Sequence, residues 1–154
     1  MRPQLHFTAP CHWINDPNGL IYFQGHYHIF YQHFPYANKW GTMHWGHAIT
    51  KDFIHYKHLP IALYPSKYFD RNGCFSGSAI EIDDKLYLYY TAIRYAKENP
   101  EYVHVQYGDD DLRASQALLI SEDGIHFDNQ NNKQQIIPMI QEAYIGDYRH
   151  TRDP

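Results

Sequence analysis

Leu20-Ile21-Tyr22-Phe23, Gln24-Gly25-His26 and Tyr27-His28-Ile29-Phe30-Tyr31-Gln32 read in succession as a strand, a turn and a strand. β-Branched and aromatic side chains fit a pleated, half-buried surface, and the Gln-Gly step between them supplies the reversal, so the stretch is a β-hairpin. The region 79–91 has the same pattern. Aligned without a gap, Ile21 falls on Ile80, Phe23 on Ile82, Gln24-Gly25 on Asp83-Asp84, Ile29 on Leu88 and Tyr31 on Tyr90.

A second correspondence lies downstream. Ile49-Thr50-Lys51-Asp52-Phe53-Ile54-His55-Tyr56 falls on Ile120-Ser121-Glu122-Asp123-Gly124-Ile125-His126-Phe127, each a strand, an Asp-containing turn and another strand. The wider spacing places an insertion within Tyr95 to Arg113, a polar loop holding Glu98-Asn99-Pro100 and Asp109-Asp110-Asp111. Each unit is therefore a meander of four antiparallel strands, about 20–56 and about 79–127, and a repeated meander is the mark of β-propeller blades. A β-sandwich also accommodates short strands but does not predict the repeat. Helix signals are nearly absent, and Pro138 disfavours a long helix in the apolar segment around Ile136-Ile137. The fold class expected is all-β.

The run His12-Trp13-Ile14-Asn15-Asp16-Pro17-Asn18-Gly19 stands just ahead of the first hairpin. By itself Asp-Pro-Asn-Gly is an ordinary β-turn, with proline fixing φ and Asn or Gly accepting positive φ. In a propeller, however, the first strand of each blade lines the central channel, which puts Asp16 at the channel mouth. Its repeat mate is Phe75 within Cys74-Phe75-Ser76-Gly77-Ser78, and Arg152-Asp153-Pro154 stands where a third blade would begin.

Composition bounds the remaining possibilities. The 154 residues are 44% hydrophobic and 17% aromatic, with Tyr 15, Phe 8 and Trp 3, ample for a packed core and suited to stacking on sugar rings. A net charge of −4 without a basic run argues against nucleic acid or an anionic membrane as partner. Residues 1–6 hold no signal-peptide core and no segment approaches about 18 apolar residues, so a soluble, cytoplasmic chain is expected. Cys11 and Cys74 read as small buried residues. The twelve histidines include His26 and His28 on one strand face and His44 and His47 about Trp45-Gly46, yet none has ligand spacing. Asp109-Asp110-Asp111 lacks the alternating ligands of a calcium loop. Neither a metal nor a cofactor is expected.

The run His6-Phe7-Thr8-Ala9-Pro10 with Trp13-Ile14-Asn15-Asp16-Pro17-Asn18-Gly19 resembles the first signature of glycoside hydrolase family 32, the invertases, sucrose-6-phosphate hydrolases and fructan hydrolases. Phe30-Tyr31-Gln32, Trp45-Gly46-His47-Ala48, Phe75-Ser76-Gly77-Ser78, Ser121-Glu122-Asp123-Gly124 and Arg152-Asp153-Pro154 resemble further family motifs in the family's order. Family 43 arabinanases and xylosidases share the propeller but fit the first run less well. The resemblance implies a five-bladed propeller, here its first two blades and the start of a third at 152–154, without the family's C-terminal β-sandwich. It implies Asp16 as catalytic nucleophile and Asp153 as transition-state stabiliser. Asn15, Gln32, Trp40, Trp45, Phe75, Ser76 and Arg152 match positions lining the fructose pocket.

The family's acid/base Glu lies in a Glu-Cys motif beyond Arg-Asp-Pro, and no residue here matches it; neither Glu122 nor Glu142 has the motif. Two functional classes follow. One is a retaining β-fructosidase acting on sucrose, sucrose-6-phosphate or short fructans, weak or inactive in this form. The other is a non-catalytic sugar-binding propeller piece or the product of a decayed gene. Blade faces left uncovered are expected to favour self-association.

Overall fold

The computed structural model describes residues 6–96 and 112–138, which form two four-stranded antiparallel sheets. The first sheet runs β1 (Trp13–Phe23), β2 (His26–Phe34), β3 (His44–Thr50) and β4 (Tyr56–Leu63) in spatial order. The second runs β5 (Gly73–Ile82), β6 (Lys85–Tyr95), β7 (Leu112–Ser121) and β8 (Gln134–Ile137) likewise, with a single 3₁₀ turn at Tyr68–Asp70 between the sheets. Two consecutive meanders packed face to face are two propeller blades.

The repeat is visible residue by residue. Ile29 pairs with Ala48 in the first blade and Leu88 with Leu119 in the second, the positions that the two sequence alignments equate. Both hairpins turn on two residues with positive φ, Gln24 (44°) and Gly25 (81°), then Asp83 (50°) and Asp84 (58°). That is the turn whose twist matches the strands it joins. Each β3- or β7-terminal turn is closed by one aspartate. Asp52 Oδ1 accepts the Ile54 and His55 amides at 2.9 and 2.8 Å, and Asp123 Oδ1 accepts those of Ile125 and His126 at 2.8 Å each.

Strand boundaries differ from the sequence expectation at three places, the first being that β4 carries the first blade past Tyr56 to Leu63. β1 begins at Trp13, ahead of Leu20, because Asn15 to Gly19 forms no turn: two register shifts against β2, between Ile14 and Pro17 and between Asn18 and Ile21, absorb the extra residues as bulges. Pro17 is tolerated because β1 is the edge strand of its sheet, where no ladder donor is required. β8 begins at Gln134, after Phe127, because Asp128 to Asn132 is spent on a turn that grips the first blade. Asn129 donates from Nδ2 to the Ala62 carbonyl at 2.8 Å and accepts from the Tyr64 amide at 3.1 Å. Arg152-Asp153-Pro154, the expected start of a third blade, and Asp109-Asp110-Asp111 lie outside the described residues.

The core fills the space between the blades. Phe23, Phe30, Trp45, Ala62 and Leu63 of the first meet Cys74, Leu86, Leu88, Tyr90, Ala92, Ala117 and Leu119 of the second. The strict in/out alternation of β6 places Leu86, Leu88 and Tyr90 on this side. Cys74 is buried as expected, but Cys11 is exposed, because it lies in the bend that precedes β1 rather than on a strand. A buried ion pair ties the inter-blade connection to the second blade, Lys133 Nζ to Asp70 Oδ2 at 2.5 Å with both side chains fully shielded.

Candidate active site

The first strands of the two blades, β1 and β5, lie side by side, and each is broken by a bulge where they meet. Bulges re-aim side chains at such positions. On β1 the bulge holds Asn15 and Asp16; on β5 it holds Ser76, between Phe75 paired with Thr91 and Gly77 paired with Tyr90. The Ser76 hydroxyl donates to Asp16 Oδ2 at 2.9 Å. Gly77 has no alternative, since a Cβ there would stand 2.0 Å from the Tyr89 carbonyl oxygen.

Asp16 is exposed and held ionised. Hydrogen bonds from the Asn15 side chain and then from Ser76 lower its pKa below the ordinary aspartate value, with slight burial opposing them. Asn15 is itself oriented, because the Trp13 indole donates to its Oδ1 at 2.6 Å and leaves the amide nitrogen for the carboxylate. Phe75, the chain neighbour of Ser76, meets Trp40 edge to face with ring centroids 5.8 Å apart, both half-buried.

The structure thus brings together Asn15, Asp16 and Ser76, and pairs Trp40 with Phe75. Gln32 is 2% exposed and Trp45 fully buried. Gln32 Nε2 donates to the Cys74 carbonyl and Trp45 Nε1 to the Phe75 carbonyl, each at 3.1 Å. Arg152 and Asp153 lie outside the described residues. Among the described residues no group of three His, Cys, Asp or Glu side chains is placed to hold a metal ion, and no helix is long and apolar enough to cross a membrane.

Two consecutive meanders whose first strands meet at a hydrogen-bonded carboxylate define two blades of a β-propeller. The description "Glycosyl hydrolases family 32 N-terminal domain" matches residues 6–154, and the chain belongs to that family.

The similarities to individual proteins agree. A sucrose-6-phosphate hydrolase of Zymomonas mobilis is 44% identical over 96% of this chain and 27% of its own length. A sucrose-6-phosphate hydrolase of Escherichia coli is 44% identical over 99% of this chain and 29% of its own length. Among solved structures, the Bombyx mori GH32 beta-fructofuranosidase BmSUC1 superposes with a TM-score of 0.73 at 35% identity, covering 92% of this chain and 27% of that one. The chain therefore spans between a quarter and a third of the length of these relatives.

Two site residues escape a reading of the sequence alone. Trp13 was legible in principle, since it stands two residues before Asn15 and so on the same strand face. Asn18 is 2% exposed and accepts the Gly77 amide at 3.4 Å, a contact between residues far apart in the chain that no local pattern announces.

Proposed function

We propose that this chain carries the nucleophile side of a retaining β-fructofuranosidase site, and the observation that supports it most is the ionised Asp16 carboxylate fixed between two blades by Asn15 and Ser76. In this reading an Asp16 oxygen attacks the anomeric carbon of a fructosyl unit as the bond to the leaving oxygen breaks, giving a fructosyl-enzyme. A second carboxyl about 5 to 5.5 Å away would protonate that oxygen in the same step and later activate water. Trp40 and Phe75 would support the furanose ring. Arg152 and Asp153 would bind its hydroxyls, with Asp153 stabilising the charge that develops in the transition state.

No residue of the 154 matches the family's acid/base Glu. General acid–base assistance is worth roughly 10² to 10⁴ in rate, so rapid release of glucose from sucrose requires that second carboxyl. The substrate class follows from relatives named sucrose-6-phosphate hydrolase, levanase and raffinose invertase. Sucrose-6-phosphate, sucrose and short fructans are the substrates proposed, and a cytoplasmic setting goes with the first.

A fructoside whose leaving group needs no proton separates this reading from that of a non-catalytic sugar-binding piece. With β-fructofuranosyl fluoride, the carbon–fluorine bond breaks as the Asp16 ester forms and fluoride departs unassisted. The expected result is a fructosyl adduct on the peptide containing Asp16, detected by mass spectrometry and absent from Asp16→Ala. No adduct in the parent chain, or an undiminished one in Asp16→Ala, overturns the assignment.

A further inference from the structure

Gln32 and Trp45 face each other across β2 and β3, and the same positions in the second blade are Thr91 and Gln116, also a cross-strand pair. The second-blade pair is satisfied internally: Gln116 Nε2 donates to Thr91 Oγ1 at 3.2 Å, and Thr91 Oγ1 returns a bond to Gln116 Oε1 at 3.4 Å. The blade architecture therefore does not itself demand an indole at this place. In the first blade both members reach out of their own sheet and donate to consecutive carbonyls of β5, Cys74 and Phe75. Asn18 adds a third contact by accepting the Gly77 amide.

These three bonds bracket Ser76, which is the bulged residue of β5 and so lacks a place in the ladder with β6. Something other than the sheet must hold it, because an unpaired bulge residue has freedom that ladder residues lose. Trp45 is well placed to do so. Its ring abuts Gly19, the left-handed residue (φ +49°) of the second β1 bulge, where an added Cβ would come within 3.3 Å of Cζ3. One rigid side chain thus touches both strands that meet at the site. It is fully buried.

We infer that Trp45, with Gln32 and Asn18, is a positioning residue for Asp16, acting through the β5 backbone by holding the Ser76 hydroxyl in register with the carboxylate. The inference rests on the proposed role of Asp16 for its functional meaning but not for its test, which reads the carboxylate directly and requires no sugar chemistry. A failure here therefore leaves the fructosyl-fluoride result standing, and the reverse also holds.

The test follows the Asp16 carboxyl carbon by NMR through an acid titration of the full chain, with Asp123 as an internal control. Ser76→Ala gives the response to outright loss of the donor. Trp45→Phe removes the indole N–H, and replacement of Trp45 by its isosteric benzothienyl analogue removes it with the bulk unchanged, should the phenylalanine variant fail to fold. The expected outcome is an upward shift of the Asp16 midpoint in Ser76→Ala and in the Trp45 replacement, with the Asp123 midpoint unmoved. An Asp16 midpoint unchanged by loss of the indole N–H overturns the inference. So does an equal shift at Asp123, which would report general loosening, and so does a Ser76→Ala midpoint equal to that of the parent.

Discussion

The Ser76 hydroxyl and the Asp16 carboxylate, 60 residues apart in the chain, meet at 2.9 Å across the gap between β5 and β1. The bond joins two bulges, each of which removes its residue from the regular ladder and turns it toward the other blade. Sheet irregularity is thus what assembles the site, and Gly77 is the residue that makes it sterically possible.

The hydrogen bonds to Asp16 set where its reactivity ends in acid. A donor to the ionised form lowers the carboxyl pKa, so removing it raises the pH at which the nucleophile becomes protonated. Asn15→Ala and Ser76→Ala are each expected to move the acid limb of fructosyl transfer from β-fructofuranosyl fluoride to higher pH. Asn15→Ala moves it further, since its hydrogen bond has the larger effect. Initial trapping rates measured across the acid range check both; unshifted limbs refute the account.

Lys133 and Asp70 should be far more costly to separate than their small number of contacts suggests. Asp70 Oδ1 accepts the Ser66 and Lys67 amides at 2.9 and 2.8 Å, while Oδ2 takes the Tyr90 hydroxyl at 2.8 Å as well as Lys133. Lys133→Met leaves a fully buried carboxylate without its counter-charge, at about 3–5 kcal/mol. Urea denaturation is the measurement. The double variant Asp70→Asn, Lys133→Met is expected to recover part of the loss, because it removes both charges together.

How much of this was legible follows from the range of the interactions. The blades were readable because hairpin turns and alternating side chains are local, and the same aspartate-closed turn recurs after β3 and β7. Asp16 was readable as a candidate, but its setting was misread: Asp16-Pro17-Asn18-Gly19 has the composition of a turn, and only pairing with β2 makes it a bulged strand. The depth of Trp45 and Gln32, both buried, was not legible, because residue type does not reveal it. The Asp70–Lys133 pair carried no signal at all, since nothing local distinguishes a buried lysine from a solvated one.

The two outward blade faces carry exposed apolar side chains, Leu20 (61%) and Tyr22 (57%) on the first and Ile80 (48%) and Ile82 (39%) on the second. Tyr22 continues through Tyr27 to Phe53, with ring centroids 4.9 and 4.4 Å apart, as one aromatic surface. Burying such area yields about 25 cal/mol per Å², enough to drive association when faces are complementary. The chain is expected to sediment above its 18.3 kDa mass as concentration rises. Tyr22→Lys with Leu20→Lys, or Ile80→Lys with Ile82→Lys, should shift it toward the monomer. A parent chain that sediments as a monomer throughout refutes this.

Acid should destabilise the chain through histidines before it reaches the carboxylates. His28 Nδ1 and His47 Nε2 stand 3.0 Å apart beneath the loop that carries Gly124, and His47 stacks on Phe30 at 4.3 Å. Burial, then the neighbouring His28, pushes the His47 pKa down to about 3; burial likewise lowers that of His28. An unfolded histidine titrates near 6.5, so between about pH 6.5 and 3 the unfolded chain binds a proton at His47 that the folded chain refuses. Stability is therefore full above that window and falls as pH drops through it, by up to about 1.4 kcal/mol per pH unit for this one group. His47→Gln removes the titration, so its stability, although lower at neutral pH, is expected to decline less steeply between those limits. Denaturation midpoints measured at several pH values in the window decide the point, and parallel slopes for parent and variant would exclude His47 as the sensitive group.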